Sequence, residues 1–181
     1  ARPAVSDASR IRFDPFEALG LEPRFDLEAA SIDAAWMRRL RAAHPDRAGG
    51  GAEHSEIARS AATLNEARSI LRDPLRRGEA LLARCGVSGG DPAALPPSFL
   101  PEMLELRERL EEAIDAGEEA GLLELAEEID GRRSSVLTRL ATLFAEPRAA
   151  PISNAIRLEL NVLRYLDRVR EELRQAPQER S

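Results

Sequence analysis

The spacing of apolar residues beyond position 98 constrains this chain most. Phe99, Met103, Leu106, Leu110 and Ala113 step by 4, 3, 4 and 3, which places them on one seam of an α-helix. Leu122, Ala126, Ile129, Val136, Leu140 and Leu143 fit the same repeat, with Arg133 interrupting it, and Glu146-Pro147 closes the segment. Ile156, Leu163, Leu166, Val169 and Leu173 form a third stripe. A half-buried strand would need strict alternation, and no alternation lasts more than a few residues. The spacing predicts helices over 99–116, 118–144 and 152–175, burying one shared core as a three-helix bundle.

The segment Gly86-Val-Ser-Gly-Gly-Asp-Pro-Ala-Ala-Leu-Pro-Pro97 separates this half from the first. Gly and Pro disrupt helix and favour turns. Ahead of it, a short helix is predicted over 14–20, with Pro15 in its first turn and Gly20 at its end. A second helix over 27–43 carries Ile32, Trp36, Leu40 and Ala43 on one face. A third over 53–71 carries Ile57, Ala61, Leu64 and Leu71, and Asp73-Pro74 interrupts it before a fourth over 75–84. The link between the second and third, His-Pro-Asp-Arg-Ala-Gly-Gly-Gly-Ala, reads as a turn and makes the two an antiparallel hairpin. The expected architecture is all-α: a helical hairpin domain over 14–85, a linker over 86–97 and a three-helix bundle over 98–176. Residues 1–13 are expected to be a disordered tail.

Composition removes several functional classes. The only cysteine is Cys85, so no internal disulfide can form, and with two histidines and no CxxC a structural zinc site is not expected. No apolar stretch is long enough to span a membrane, and the first residues contain no apolar signal core. The expectation is a cytoplasmic protein without cofactors. All 26 basic residues are arginine. They are distributed unevenly against the acids: residues 1–88 have a net charge of +1 and residues 89–181 a net of −7. An acidic second half argues against nucleic-acid binding there, because phosphate contacts need excess positive charge.

One tripeptide carries function in the first half. His44-Pro45-Asp46 closes an arginine-rich helix, Trp-Met-Arg-Arg-Leu-Arg-Ala-Ala. Taken alone it is a helix-terminating turn, with Pro stopping one helix and Asp capping the next segment. Its context is more specific. Arg38, Arg39 and Arg41 precede it, and Asn65, Ala67, Leu71, Asp73, Pro74 and Arg77 come after it at set spacing. With those residues the segment resembles the J-domain. Its pattern is a short helix, a basic second helix, His-Pro-Asp, and a third helix with an Asn-x-Ala-x-x-x-Leu core and an Asp-Pro-x-x-Arg ending. The resemblance implies a DnaK-type chaperone ATPase as partner, contacted by His44, Pro45 and Asp46 together with Arg38, Arg39, Arg41 and Arg47. Arginine forks clustered on one helix can pair with carboxylates and steer association. No nucleophile accompanies His44, so the chain is expected to activate its partner's ATPase and not to be an enzyme.

The second half narrows the resemblance. Phe99-Leu100-Pro101-Glu102-Met103-Leu104-Glu105-Leu106-Arg107-Glu108, and later Leu163-Arg-Tyr-Leu-Asp-Arg-Val, are similar to the bundle of the HscB-type co-chaperones of iron–sulfur cluster assembly. Measured from the seam, Leu100 and Leu104 point about 90–130° away from the core direction at about 100° per residue. They are apolar residues that the core does not need, with Glu105, Glu108 and Glu112 beside them. An apolar pair edged with charge suits a partner site, and an extended buried stripe is the structural alternative. The resemblance assigns Leu100, Leu104, Glu105, Glu108, Glu112 and Tyr165 to binding the iron–sulfur scaffold protein, for delivery to a specialised DnaK-type (HscA-type) chaperone. Pro101 departs from the pattern where relatives carry an apolar contact residue. The alternatives are a J-domain co-chaperone serving another client and a non-catalytic helical interaction module.

Overall fold

The structure, a computed structural model, describes residues 13–43, 51–87, 91, 94–117, 119–146 and 150–176. Their regular structure is helical throughout: α1 (Pro15–Leu19), α2 (Ala29–Ala43), α3 (Gly51–Arg72), α4 (Pro74–Arg84), a 3-10 turn (Pro97–Phe99), α5 (Leu100–Ala116), α6 (Glu119–Ala145) and α7 (Ala150–Gln175). The all-α expectation and each anticipated helix are met, with ends displaced by no more than a residue or two.

Local chemistry explains the best-defined ends. At α1, Asp14 Oδ1 accepts from the Phe16 and Glu17 amides at 2.9 and 3.3 Å, and Pro15 occupies the first turn, where no amide donor is needed. Gly20 ends the helix at φ 65°, its N–H donating to the Glu17 carbonyl while the Leu21 N–H donates back to Phe16.

The described chain forms two compact units, Ala1–Pro23 with Leu27–Asp73, and Arg24–Asp26 with Pro74–Ser181. In the first, α1 and α2 pack on α3. Phe16, Leu19, Ile32, Ala35, Ala67 and Leu71 are almost wholly buried. Polar contacts set the register of α2 against α3. Asp33 pairs with Arg68 and Arg72, both at 2.8 Å, and the Trp36 indole N–H donates to Asn65 Oδ1 at 2.9 Å. The Arg68 guanidinium also lies 4.7 Å from the Trp36 ring centroid, a cation–π contact.

In the second unit, α6 and α7 are the most extensively packed pair. Leu125, Ile129, Val136 and Leu140 of α6 and Ile156, Leu160, Leu163, Leu166, Val169 and Leu173 of α7 are buried, and α5 adds Leu106 and Leu110. Leu125, not the anticipated Leu122, holds the inner position at the start of α6; Leu122 is half-buried. The two lie about 60° apart, and Leu125 stands one turn before Ile129 on the buried side. Arg133, which breaks the apolar repeat, donates to Asp167 of α7 at 2.6 Å.

The packing of α4 differs from the sequence expectation, which placed it in the first domain ending at residue 85. Here α4 lies on α7 and belongs to the second unit. Gly78 favours this packing: a Cβ on it would sit 2.6 Å from Leu160 Cδ2, so any side chain there would force Leu160 to shift. Leu81 and Leu82 are buried beside it, and Glu79 pairs with Arg164 at 2.5 Å. Phe25 joins the same unit, stacked on Phe144 at 5.0 Å between centroids, with the Arg77 guanidinium 5.4 Å from its ring. Within the stretch expected as a linker, Asp91 and Ala94 are tied down, since the buried Asn161 side chain donates to their carbonyls at 3.0 and 2.7 Å.

Replacing Gly78 by Val forces its branched side chain into Leu160. The expected result is a loss of about 2 kcal/mol, typical of overpacking, measured by urea unfolding of the full chain monitored by circular dichroism.

Candidate functional site

Two surfaces carry the candidate residues, one on each unit. On the first, α2 displays Arg38, Arg39 and Arg41, all exposed. Among the described residues none of the three is paired with a carboxylate, in contrast to Arg68 and Arg72. The residues expected at the tip, His44, Pro45, Asp46 and Arg47, lie outside the described residues. The motif positions downstream have visible packing roles. Asn65 accepts the Trp36 hydrogen bond, Ala67 and Leu71 are fully buried, Pro74 opens α4, and Arg77 is 7% exposed against Phe25. The Asn-x-Ala-x-x-x-Leu spacing therefore fixes α2 on α3 beneath the arginines. Arg68 beside Asp33 holds that carboxyl below its ordinary range, as expected for a carboxylate bonded to a guanidinium.

On the second unit, α5 turns Leu106 and Leu110 inward and leaves Leu100 and Leu104 44% and 59% exposed. These exposures decide between the two readings of the pair: the bundle does not bury them as part of a wide stripe. Pro101 is exposed in the first turn of α5, where its missing N–H breaks no helical bond. Tyr165 reaches across from α7, half-buried, donating its hydroxyl to the Met103 carbonyl at 3.0 Å and setting its ring edge-on to Phe99 at 5.7 Å. Its position brings it against the same turns of α5 that carry the leucines.

Glu105, Glu108 and Glu112 are exposed, but they do not edge the leucines equally. At about 100° per residue, Glu108 lies about 40° beyond Leu104, whereas Glu112 and Glu105 lie about 80° and 100° round the helix. Those two stand on the side where Glu102 pairs with Arg132 and Arg109 with Glu128 of α6. On the α7 side the leucines are bordered by Arg107, which bridges Glu111 (2.9 Å) and Glu172 (2.8 Å). Sequence reasoning missed Arg107 and Glu111; their i,i+4 spacing was the available signal, while the link to Glu172 depends on tertiary packing. It also missed Leu123 of α6, which is 60% exposed.

Burial pushes the Glu128 carboxyl up, but hydrogen bonds from Arg109 and Arg132 outweigh it and leave the group below its usual range. Among the described residues no group of three His, Cys, Asp or Glu side chains is arranged to hold a metal ion, and no helix is long and apolar enough to cross a membrane. What the two surfaces can do is bind: a basic helix face can pair with carboxylates, and an exposed leucine pair bordered by charge can be buried by a partner.

Comparison with known proteins matches residues 95–174 to the family described as the HSCB C-terminal oligomerisation domain. A co-chaperone protein HscB homolog of Burkholderia thailandensis is 33% identical over 162 residues, covering 87% of this chain and 90% of that protein. A second, from Bordetella petrii, is 36% identical over 137 residues, covering 74% of this chain and 79% of its own. Among solved structures, the chaperone HscB of Vibrio cholerae superposes with a TM-score of 0.75 at 25% identity, covering 93% of this chain and 99% of that one. The human co-chaperone protein HscB gives a TM-score of 0.77 at 21% identity, covering 94% and 83%, a likeness of fold.

Tyr165 is the chain's only tyrosine, so its ionisation can be read directly. Burial disfavours the phenolate and raises its pKa above the ordinary value of 10.0. The folded-state preference for the phenol is therefore present below the unfolded-state pKa and is lost as pH rises through the folded one. Spectrophotometric titration is expected to show a midpoint above that of the same chain in guanidinium chloride. Tyr165→Phe keeps the ring contact and loses the hydroxyl bond, with an expected cost of about 1 kcal/mol by chemical denaturation.

Proposed function

The chain belongs to the HscB family of co-chaperones, and from that premise we propose that it binds the scaffold protein of iron–sulfur cluster assembly and stimulates the ATPase of a specialised DnaK-type chaperone. The observation that carries the reading is the exposure of Leu100 and Leu104, 44% and 59%, on a helix whose inner side is already filled by Leu106 and Leu110. Exposed leucines are costly to keep hydrated and are stabilised when a partner covers them. Glu108 and Arg107 border the pair and restrict which partners fit. Leu100, Leu104 and Tyr165, with the acids Glu105, Glu108 and Glu112 around them, are the scaffold-facing residues of this reading.

The J-domain half supplies the second function. The tip His44-Pro45-Asp46, with Arg38, Arg39, Arg41 and Arg47 near it in the sequence, engages the chaperone and biases it toward hydrolysis. This is a coupling between two proteins, and the chain itself carries out no chemical step. Holding client and chaperone on one chain raises the effective concentration of the client at the chaperone. The iron–sulfur cluster is cargo on the client.

Steady-state ATP hydrolysis by the organism's DnaK-type chaperones tests the first half. Wild type is expected to stimulate, and His44→Gln to abolish stimulation with circular dichroism unchanged. Equal stimulation by the variant would refute the role of the tip. Calorimetric titration with the scaffold protein tests the second half. Leu100→Ala with Leu104→Ala is expected to weaken binding by at least about tenfold, since covering a leucine side chain contributes about 1.5–3 kcal/mol, while basal ATPase stimulation persists. No complex between scaffold and folded wild type would point to a different client.

A further inference from the structure

The leucine pair on α5 is part of a longer stripe. Leu100, Leu104, Arg107 and Glu111 step by 4, 3 and 4, so all four fall within about 60° of one another at about 100° per residue. On α7, Tyr165, Arg168 and Glu172 step by 3 and 4 and share a sector of about the same width. Two contacts set these stripes side by side. The Tyr165 hydroxyl donates to the Met103 carbonyl at 3.0 Å, and Arg107 donates to Glu172 at 2.8 Å. An apolar end, Leu100, Leu104 and Tyr165, therefore runs into a charged end, Arg107, Glu111, Arg168 and Glu172.

The arginines around Tyr165 are held unequally. Arg107 lies between Glu111 at 2.9 Å and Glu172 at 2.8 Å. Arg164, next to Tyr165 in the chain, is occupied by Glu79 at 2.5 Å and Asn161 at 2.6 Å. Among the described residues, Arg168 has only a second share of Glu172, at 3.4 Å, and its side chain is 80% exposed. Burial raises the Tyr165 pKa and the Arg168 charge acts in the opposite sense, so this guanidinium lies within electrostatic reach of the hydroxyl. When Arg168 turns to another carboxylate, Glu172 keeps Arg107, and no charge is left without a partner. A guanidinium offers a planar fork that a carboxylate engages with two bonds.

We propose that Arg168 is a specificity-determining residue of the scaffold surface, pairing with an aspartate or glutamate carboxylate of the iron–sulfur scaffold protein while Leu100 and Leu104 cover an apolar patch beside it. Arg107 is a positioning residue that holds α5 to α7, so that the leucines and Arg168 form one surface. The inference rests on the function proposed above and names the chemistry of that partner: an apolar patch with an acidic side chain within about two helical turns, about 10 Å, of it.

Calorimetric titration of the full-length protein with the scaffold protein, repeated at several salt concentrations, tests the assignment. Arg168→Gln is expected to raise Kd severalfold and Arg168→Glu at least about tenfold, with Tm and basal stimulation of the chaperone ATPase unchanged. The Kd of wild type is expected to rise more steeply with salt than that of Arg168→Gln, because screening weakens a pair that the variant lacks. Replacing one surface Asp or Glu of the scaffold by Arg is expected to restore binding to Arg168→Glu and not to Leu104→Ala, which identifies the carboxylate. Arg168→Glu binding as tightly as wild type, with the same salt dependence, would overturn the assignment and leave the leucine surface standing. Wild type that forms no complex would instead overturn the functional reading, and this inference with it.

Discussion

The burial of one stripe along α7 supports the whole of the larger unit. Ile156, Leu160, Leu163, Leu166, Val169 and Leu173 are almost completely removed from water, each contributing about 1.5–3 kcal/mol before conformational entropy is counted. The polar residues between them catch the other elements one at a time. Asn161 binds the backbone at Asp91 and Ala94, Arg164 takes Glu79 of α4, Tyr165 takes Met103 of α5, and Asp167 and Arg170 take Arg133 and Asp130 of α6. Apolar burial supplies the driving force and these contacts select the register.

Magnitudes explain that division. A partly exposed ion pair contributes about 0–1 kcal/mol, so no single bridge competes with a buried leucine. Their value is geometric. Arg132 binds Glu102 and Glu128 together, joining two helices through one planar group, and a lysine in its place would offer a point charge without that fork. Asn161 differs in kind, since its side chain is buried and its amide donors are satisfied by two backbone carbonyls. It holds the backbone at Asp91 and Ala94 to α7.

The two candidate surfaces are built in the same way. In each, a helix satisfies its core with one stripe and carries surplus residues on another: leucines on α5, arginines on α2. The supporting contacts lie directly beneath. Trp36 and Asn65 clamp α2 to α3, and Tyr165 clamps α5 to α7. Binding residues mounted on clamped helices stay positioned without a partner, which lowers the ordering cost of association.

Much of the fold is readable from residue order. The 4-3 apolar steps, Asp14 with Pro15, Gly20, and the Gly and Pro run before residue 98 set the helix count and most helix ends, because periodicity and capping are local. The surplus character of Leu100 and Leu104 is also visible there, as an angle away from the seam. Tertiary packing decided the rest. It gave α4 to the bundle, because Gly78 lets it approach Leu160. It seated Leu125 rather than Leu122 and brought Glu172 to Arg107. Periodicity states which face of a helix is apolar; which neighbour covers that face, and how closely, depends on residues distant in the chain, and only the folded arrangement sets it.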